Sequence, residues 1–130
     1  MVEVYIDGAS AGNPGLSGAG VFIKGEGYVL RKSVPLGTLS NHQAEFAALL
    51  EALKLCAEHE FKILSIRTDS QIVADALEKE YVKRSSFETY LTEALKLIDI
   101  HFDHCFTKWI PSKQNKEADV LARQAIQMNK

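Results

Sequence analysis

The feature that most limits what this chain can fold into lies at its start. Val2, Val4 and Ile6 alternate with Glu3 and Tyr5, and β-branched residues at period two predict a strand. The apolar pattern stops on Asp7-Gly8, and Ala9-Ser10-Ala11-Gly12-Asn13-Pro14-Gly15 is turn chemistry at almost every position. Asp-Gly is among the commonest turn dipeptides, so taken alone it signals only a reversal. A strand that ends on a carboxylate beside open backbone also sets a charged group at the rim of a sheet. The choice depends on what the rest of the chain brings to that rim.

Gly18 to Lys24 predicts a second strand, Gly25-Glu26-Gly27 a hairpin, and Tyr28 to Val34 a third strand, an antiparallel meander. The period then changes. Ser40 or Asn41 caps a helix whose broad apolar face runs from Ala44 through Leu49 and Leu53 to Cys56. Lys62 to Thr68 is a fourth strand and again ends on a carboxylate, Asp69. Ser70 opens a short helix, Lys79 to Arg84 is a polar connector, and a helix capped near Ser85 or Ser86 turns Phe87, Tyr90, Leu91, Ala94, Leu95 and Ile98 to one side. His101 to Ile110 is expected as a fifth strand and Pro111 to Asn115 as a loop. A last helix begins about Lys116, with Ala118, Leu121, Ala122 and Ala125 inward. The order βββαβααβα is α/β. If strand four lies parallel beside strand one, Asp7 and Asp69 both end at carboxyl-terminal strand tips, the edge where open α/β sheets bind ligands.

Length and charge narrow the function classes. One domain spanning 1–130 is expected, long enough to bury a core without disulfides or a metal staple. The formal net charge of −2 supplies no overall basic field toward nucleic acid or anionic lipid. No apolar run approaches a membrane span, and the start has no signal-peptide pattern. Cys56 and Cys105 lack metal-ligand spacing and fit reduced thiols in a core. The expectation is a monomeric cytoplasmic protein with no membrane partner.

Four acids need weighing together: Asp7, Glu45, Asp69 and Asp119. Glu45 and Asp119 fall near helix starts, where interaction with the helix dipole is a sufficient reason for an acid. Gathered at one edge, however, two strand-tip aspartates and two helix-start acids repel, and such a cluster is tolerable mainly with cations between its members. Oxygen-only donors favour hard cations, Mg²⁺ or Mn²⁺, over zinc. A pair of such ions suits in-line displacement at a phosphodiester.

These residues carry a resemblance. Tyr5-Ile6-Asp7-Gly8-Ala9-Ser10 through Gly12-Asn13-Pro14-Gly15 and Gly18-Ala19-Gly20 resembles the opening of ribonuclease H type 1. So do Ser40-Asn41-His42-Gln43-Ala44-Glu45, Thr68-Asp69-Ser70-Gln71, and Asn115-Lys116-Glu117-Ala118-Asp119 before Leu121-Ala122, in the family's order over nearly the whole chain. The resemblance implies a five-stranded mixed sheet, three antiparallel strands then two parallel, flanked by helices. It implies that Asp7, Glu45, Asp69 and Asp119 hold two Mg²⁺ ions, with Mn²⁺ a possible substitute. The implied reaction is cleavage of the RNA strand of RNA–DNA hybrids to 3′-hydroxyl and 5′-phosphate ends. By position Ser10, Asn13, Asn41 and Gln71 match residues that touch the hybrid's minor groove, and Ser40 one that seats a DNA-strand phosphate; small polar groups suit 2′-hydroxyls and base edges. Capping and turn formation account for the same five residues.

The chain departs from the family pattern twice. Counted back from Asp119, the place of a histidine found in many bacterial members falls on Trp109, whose indole has no imidazole proton chemistry. His42, three residues before Glu45, is placed to compensate in part. The basic protrusion that some members insert after the third acid is reduced to Lys79, Lys83 and Arg84, interleaved with Glu78 and Glu80, so weak hybrid binding with a gentle salt dependence is expected. His101, His104 and Cys105 divide between two strand faces and are read as incidental, and Phe102, Phe106 and Trp109 as core. Two further readings stay open: a ribonuclease H-fold nucleic-acid-binding module with little or no activity, and a nuclease for another RNA substrate.

Overall fold

The computed structural model describes residues 1–130. Its elements are β1 (Val2–Ser10), β2 (Gly15–Gly25), β3 (Tyr28–Leu39), α1 (Asn41–Glu58), β4 (Ile63–Thr68), α2 (Gln71–Lys79), α3 (Ser85–His101), β5 (His104–Trp109) and α4 (Lys116–Gln127), with a 3₁₀ turn at Ser112–Gln114. The sheet order is β3-β2-β1-β4-β5. The β1–β2 and β2–β3 pairs are antiparallel, while β4 runs parallel to both β1 and β5. The expected mixed sheet and the adjacency of strands one and four are therefore present.

Some boundaries moved. Strands β2 and β3 extend beyond their apolar runs, because each residue from Gly15 to Gly25 finds a ladder partner in β3 whatever its side chain. Helix α3 continues to His101 and shortens β5 to six residues. The His101–Ile110 strand expected from sequence thus begins three residues late, since Phe102 caps α3 instead of entering the ladder.

Side-chain alternation divides the sheet. Val2, Val4 and Ile6 face the side covered by α1, and join Val21, Ile23, Leu64, Ile66, Leu49 and Leu53 in one core that also takes in Val73 of α2 and Phe87 of α3. Tyr5 and Asp7 point the other way, toward the side where α4 lies over β2. Gly8 and Gly20 set how closely the helices come. A Cβ on Gly8 would collide with the Ala44 carbonyl of α1, and one on Gly20, the cross-strand partner of Asp7, with the Ala118 carbonyl of α4. Both helices therefore rest on backbone immediately beside Asp7.

Candidate active site

Each of the four acids reaches the rim by its own route. Asp7 occupies β1 where α1 and α4 touch the sheet. Asp69 follows Thr68, which is paired with Ile6 one residue before Asp7. Glu45 comes one residue after Ala44, the residue seated on Gly8, and Asp119 one residue after Ala118, seated on Gly20. Asp119 lies in the first turn of α4, but the first turn of α1 holds no acid. For Glu45, then, the helix dipole is a poor account of its placement, since that effect fades past the first turn.

The electrostatics record the convergence. The Asp7 carboxyl is pushed up to about 8 from 3.8, chiefly by burial, then by the charges of Asp69 and Asp119, a hydrogen bond with Asp119, and the charge of Glu45. All three other acids thus act on one carboxyl. No three His, Cys, Asp or Glu side chains are gathered tightly enough to hold an ion as they stand. Two of the acids are held by basic neighbours. His42 Nδ1 lies 2.9 Å from Glu45 Oε1, and Arg123 Nε donates to both carboxylate oxygens of Asp119 at 3.1 Å. The His42–Glu45 proximity matches the helical spacing read from the sequence. The Arg123 clamp was missed, although the four-residue offset from Asp119 signals it.

Asn115 heads the last motif quoted for the resemblance, but its role was missed as well. Its side chain is 1% exposed, and Nδ2 donates to the Ile6 carbonyl at 2.8 Å. That bond ties the start of α4 to the strand one residue before Asp7, across 109 positions of sequence. Its Oδ1 has no partner.

A family model described as reverse transcriptase-like matches residues 5–125. The crystal structure of RNase H1 from the halophilic archaeon Halobacterium salinarum NRC-1 is similar with a TM-score of 0.90, 32% identity and 97% of each chain covered. The chain belongs to the ribonuclease H family. It is also similar to LC11-RNase H1, from a compost metagenome, in complex with RNA/DNA hybrid (TM-score 0.90, 27% identity, 99% of each chain). Among curated relatives, the putative hydrolase EbsB of Enterococcus faecalis is 41% identical over 98% of this chain and 95% of its own length.

Within this ribonuclease H fold, the five residues matched to hybrid contacts do not stand alike. Ser10 Oγ faces the Gly12, Gly15 and Leu39 carbonyls and accepts from Ser17 Oγ at 2.9 Å, so its hydroxyl holds the β1–β2 turn. Asn13 Oδ1 accepts the Asn41 backbone N–H at 3.0 Å, joining that turn to α1. Ser40 is the N-cap: its Oγ accepts the Gln43 N–H, and its own N–H donates to Gln43 Oε1. The side chains of Asn41 and Gln71 are exposed, and Gln71 Nε2 donates to Asp75. Four of the five thus gather where β1 turns toward α1, and Gln71 stands across the acids.

Gln71 lines a cleft of about 710 Å³ that opens on Glu45 and Asp69 and is bordered by Lys79, Lys83, Arg84 and Phe87. The basic residues of the connector face this cleft. Glu78 instead lines a smaller depression on the other side of α2. Trp109 lies in the expected strand, as the last residue of β5, with six residues joining it to α4. Its indole N–H donates to the Asp69 carbonyl at 3.1 Å. Trp109 is 47% and Phe106 57% exposed, so of the three aromatics assigned to the core only Phe102 belongs there. Three residues apart in β5, the Phe106 and Trp109 rings lie on opposite faces of the strand.

Proposed function

We propose that this protein is an endoribonuclease that hydrolyses the RNA strand of RNA–DNA hybrids, with Asp7, Glu45, Asp69 and Asp119 holding two Mg²⁺ ions or Mn²⁺ in their place. The observation that carries the reading is the convergence of Asp69, Asp119 and Glu45 on the Asp7 carboxyl. A half-buried acid with three acidic neighbours is short of positive charge, and its donors are all oxygen. The residues therefore fit hard divalent cations. Such ions, when bound, activate water and stabilise the leaving oxygen, leaving a 5′-phosphate and a 3′-hydroxyl.

The chain's own part is to place and to exclude. Asp7 and Asp69 are fixed by the parallel β1–β4 ladder, and Glu45 and Asp119 by helices seated on glycine. His42 and Arg123 hold the outer two acids by direct contact. Asn13, Asn41 and Ser40 present small polar groups to one side of the rim. Lys79, Lys83 and Arg84 set positive charge along the cleft on the other, where a second strand's phosphates would lie. The hybrid-bound complex of the similar LC11-RNase H1 supports the choice of substrate.

A second reading, a binding module that turns over little, is favoured by one observation: Glu45 and Asp119 are already paired with His42 and Arg123. One assay separates the two. The protein is incubated with RNA–DNA hybrid, RNA duplex and DNA duplex in Mg²⁺ or Mn²⁺, beside Asp7→Asn and Asp69→Asn. Hybrid cleavage lost in both variants supports the nuclease. Hybrid binding without cleavage supports the module, and cleavage that survives both variants refutes the assigned acids.

A further inference from the structure

Helices α1, α2 and α3 share one face of the sheet, and α4 covers only part of the other. The uncovered part carries Tyr5 and Phe22 side by side, with ring centroids 5.7 Å apart. Arg31 lies 5.0 Å from the Phe22 ring centre and Lys24 5.6 Å from that of Tyr5. Between these rings and the turn leading into α4 runs a groove of about 210 Å³, whose lining adds Lys113 and Lys116. Its one acid, Glu117, is paired with Arg31 at 3.3 Å. Asn115, whose buried Oδ1 lacks a partner, lines the groove's inner wall. A pair of rings flanked by cations, beside an acceptor in need of a donor, matches the chemistry of a base with its phosphate.

We propose that this groove takes up a nucleotide of single-stranded RNA that continues from the strand held at Asp7. Position decides for RNA. Tyr5 stands two residues before Asp7 on the same side of β1, roughly 7 Å along the strand. The cleft bordered by Lys83 and Arg84 lies on the opposite side of the acids and suits the DNA strand. The assignment rests on the nuclease reading for where the RNA runs, but aromatic stacking and cation contacts do not depend on cleavage.

The test uses short hybrids that are blunt, RNA-tailed or DNA-tailed at either end, together with labelled single-stranded oligouridylate followed by fluorescence anisotropy. An RNA tail at one end is expected to lower KM about tenfold relative to the blunt hybrid at unchanged kcat, one stacked base being the source. Phe22→Leu, which keeps an apolar side chain but removes the ring, should abolish that gain and weaken oligouridylate binding by a similar factor. Its blunt-hybrid kcat and KM should match the parent. Lys113→Ala with Lys116→Ala should lower the salt slope of oligouridylate binding by about 1.4. Equal KM for RNA-tailed and blunt substrates overturns the proposal, as does a gain that survives Phe22→Leu or appears equally with a DNA tail. If no hybrid is cut, the nuclease reading fails alone. Oligouridylate binding that depends on Phe22 would still support the groove, and binding indifferent to Phe22 would sink it.

Discussion

Asp7 offers the sharpest test, because its placement has a thermodynamic signature independent of any substrate. In the metal-free protein its carboxyl titrates near 8 rather than 3.8, mainly through burial and secondarily through Asp69, Asp119 and Glu45. The folded state therefore holds this proton more tightly than the unfolded chain does. The stability tied to it is complete below about pH 4 and is lost progressively as pH rises to about 8. Taken in full, that displacement corresponds to roughly 6 kcal/mol. Asp119 and Asp69 are partly solvated, so screening and small rotations reduce it, and about 2 kcal/mol is expected to survive. Asp7→Asn should accordingly resemble the parent near pH 4.5 and exceed it by about 2 kcal/mol at pH 8.5, an advantage of roughly 8 °C in Tm for a domain of this size. Urea unfolding followed by circular dichroism at the two pH values measures the gap directly. Millimolar Mg²⁺ should narrow it by stabilising only the parent, whose acids it neutralises. A gap that is the same at both pH values, or an Asp7→Asn protein less stable than the parent at pH 8.5, would refute the crowding on which the site rests.

Other expectations follow from particular contacts. Asn115→Ala removes the bond to the Ile6 carbonyl and strands that oxygen, so it should cost about 1–3 kcal/mol in urea unfolding. Gly20→Ala forces α4 off β2 beside Asp7, and should destabilise by about 1–3 kcal/mol and lower hybrid cleavage more than a surface Gly27→Ala, measured side by side. With Lys79, Lys83 and Arg84 as the cleft's main cations, hybrid affinity should fall with a log–log salt slope near −3, read by anisotropy in increasing KCl. His42→Ala should lower kcat severalfold and alter the pH–rate profile; an unchanged profile removes His42 from proton traffic.

How far the sequence could be read depended on whether the cause of a feature was local. The strand-tip aspartates were legible because period-two alternation and turn residues lie within a few positions of each. The α1 cap was narrowed to Ser40 or Asn41, and the structure gives it to Ser40, whose reciprocal pair with Gln43 lies three residues on. Trp109 lay in the expected strand, but its exposure and that of Phe106 depend on how little of β5 the helices cover, which the strand's own composition does not encode. The role of Asn115 was hidden for the same reason in stronger form: its partner is 109 residues away. Lys79, Lys83 and Arg84 looked diluted by Glu78 and Glu80 in the sequence, yet the last turn of α2 and the connector after it bring the bases to the cleft, while Glu78 faces away from it.

The glycines show why the acids themselves were easier to find than their arrangement. Gly8 and Gly20 read as turn-prone or strand-weakening residues when taken one at a time. Their common role is to let two helices from opposite faces touch adjacent points of the sheet, one beside Asp7 and one across from it. Each helix then delivers an acid one residue beyond its contact, Glu45 after Ala44 and Asp119 after Ala118. The crowding at Asp7 is thus a consequence of packing, imposed by absent side chains. It follows that restoring a methyl group at either glycine should lower the Asp7 carboxyl toward its ordinary value as the helix and its acid retreat. Carboxyl-carbon NMR titration of Asp7 in Gly20→Ala measures this, and an unmoved midpoint in a folded variant would show that burial alone sets the value.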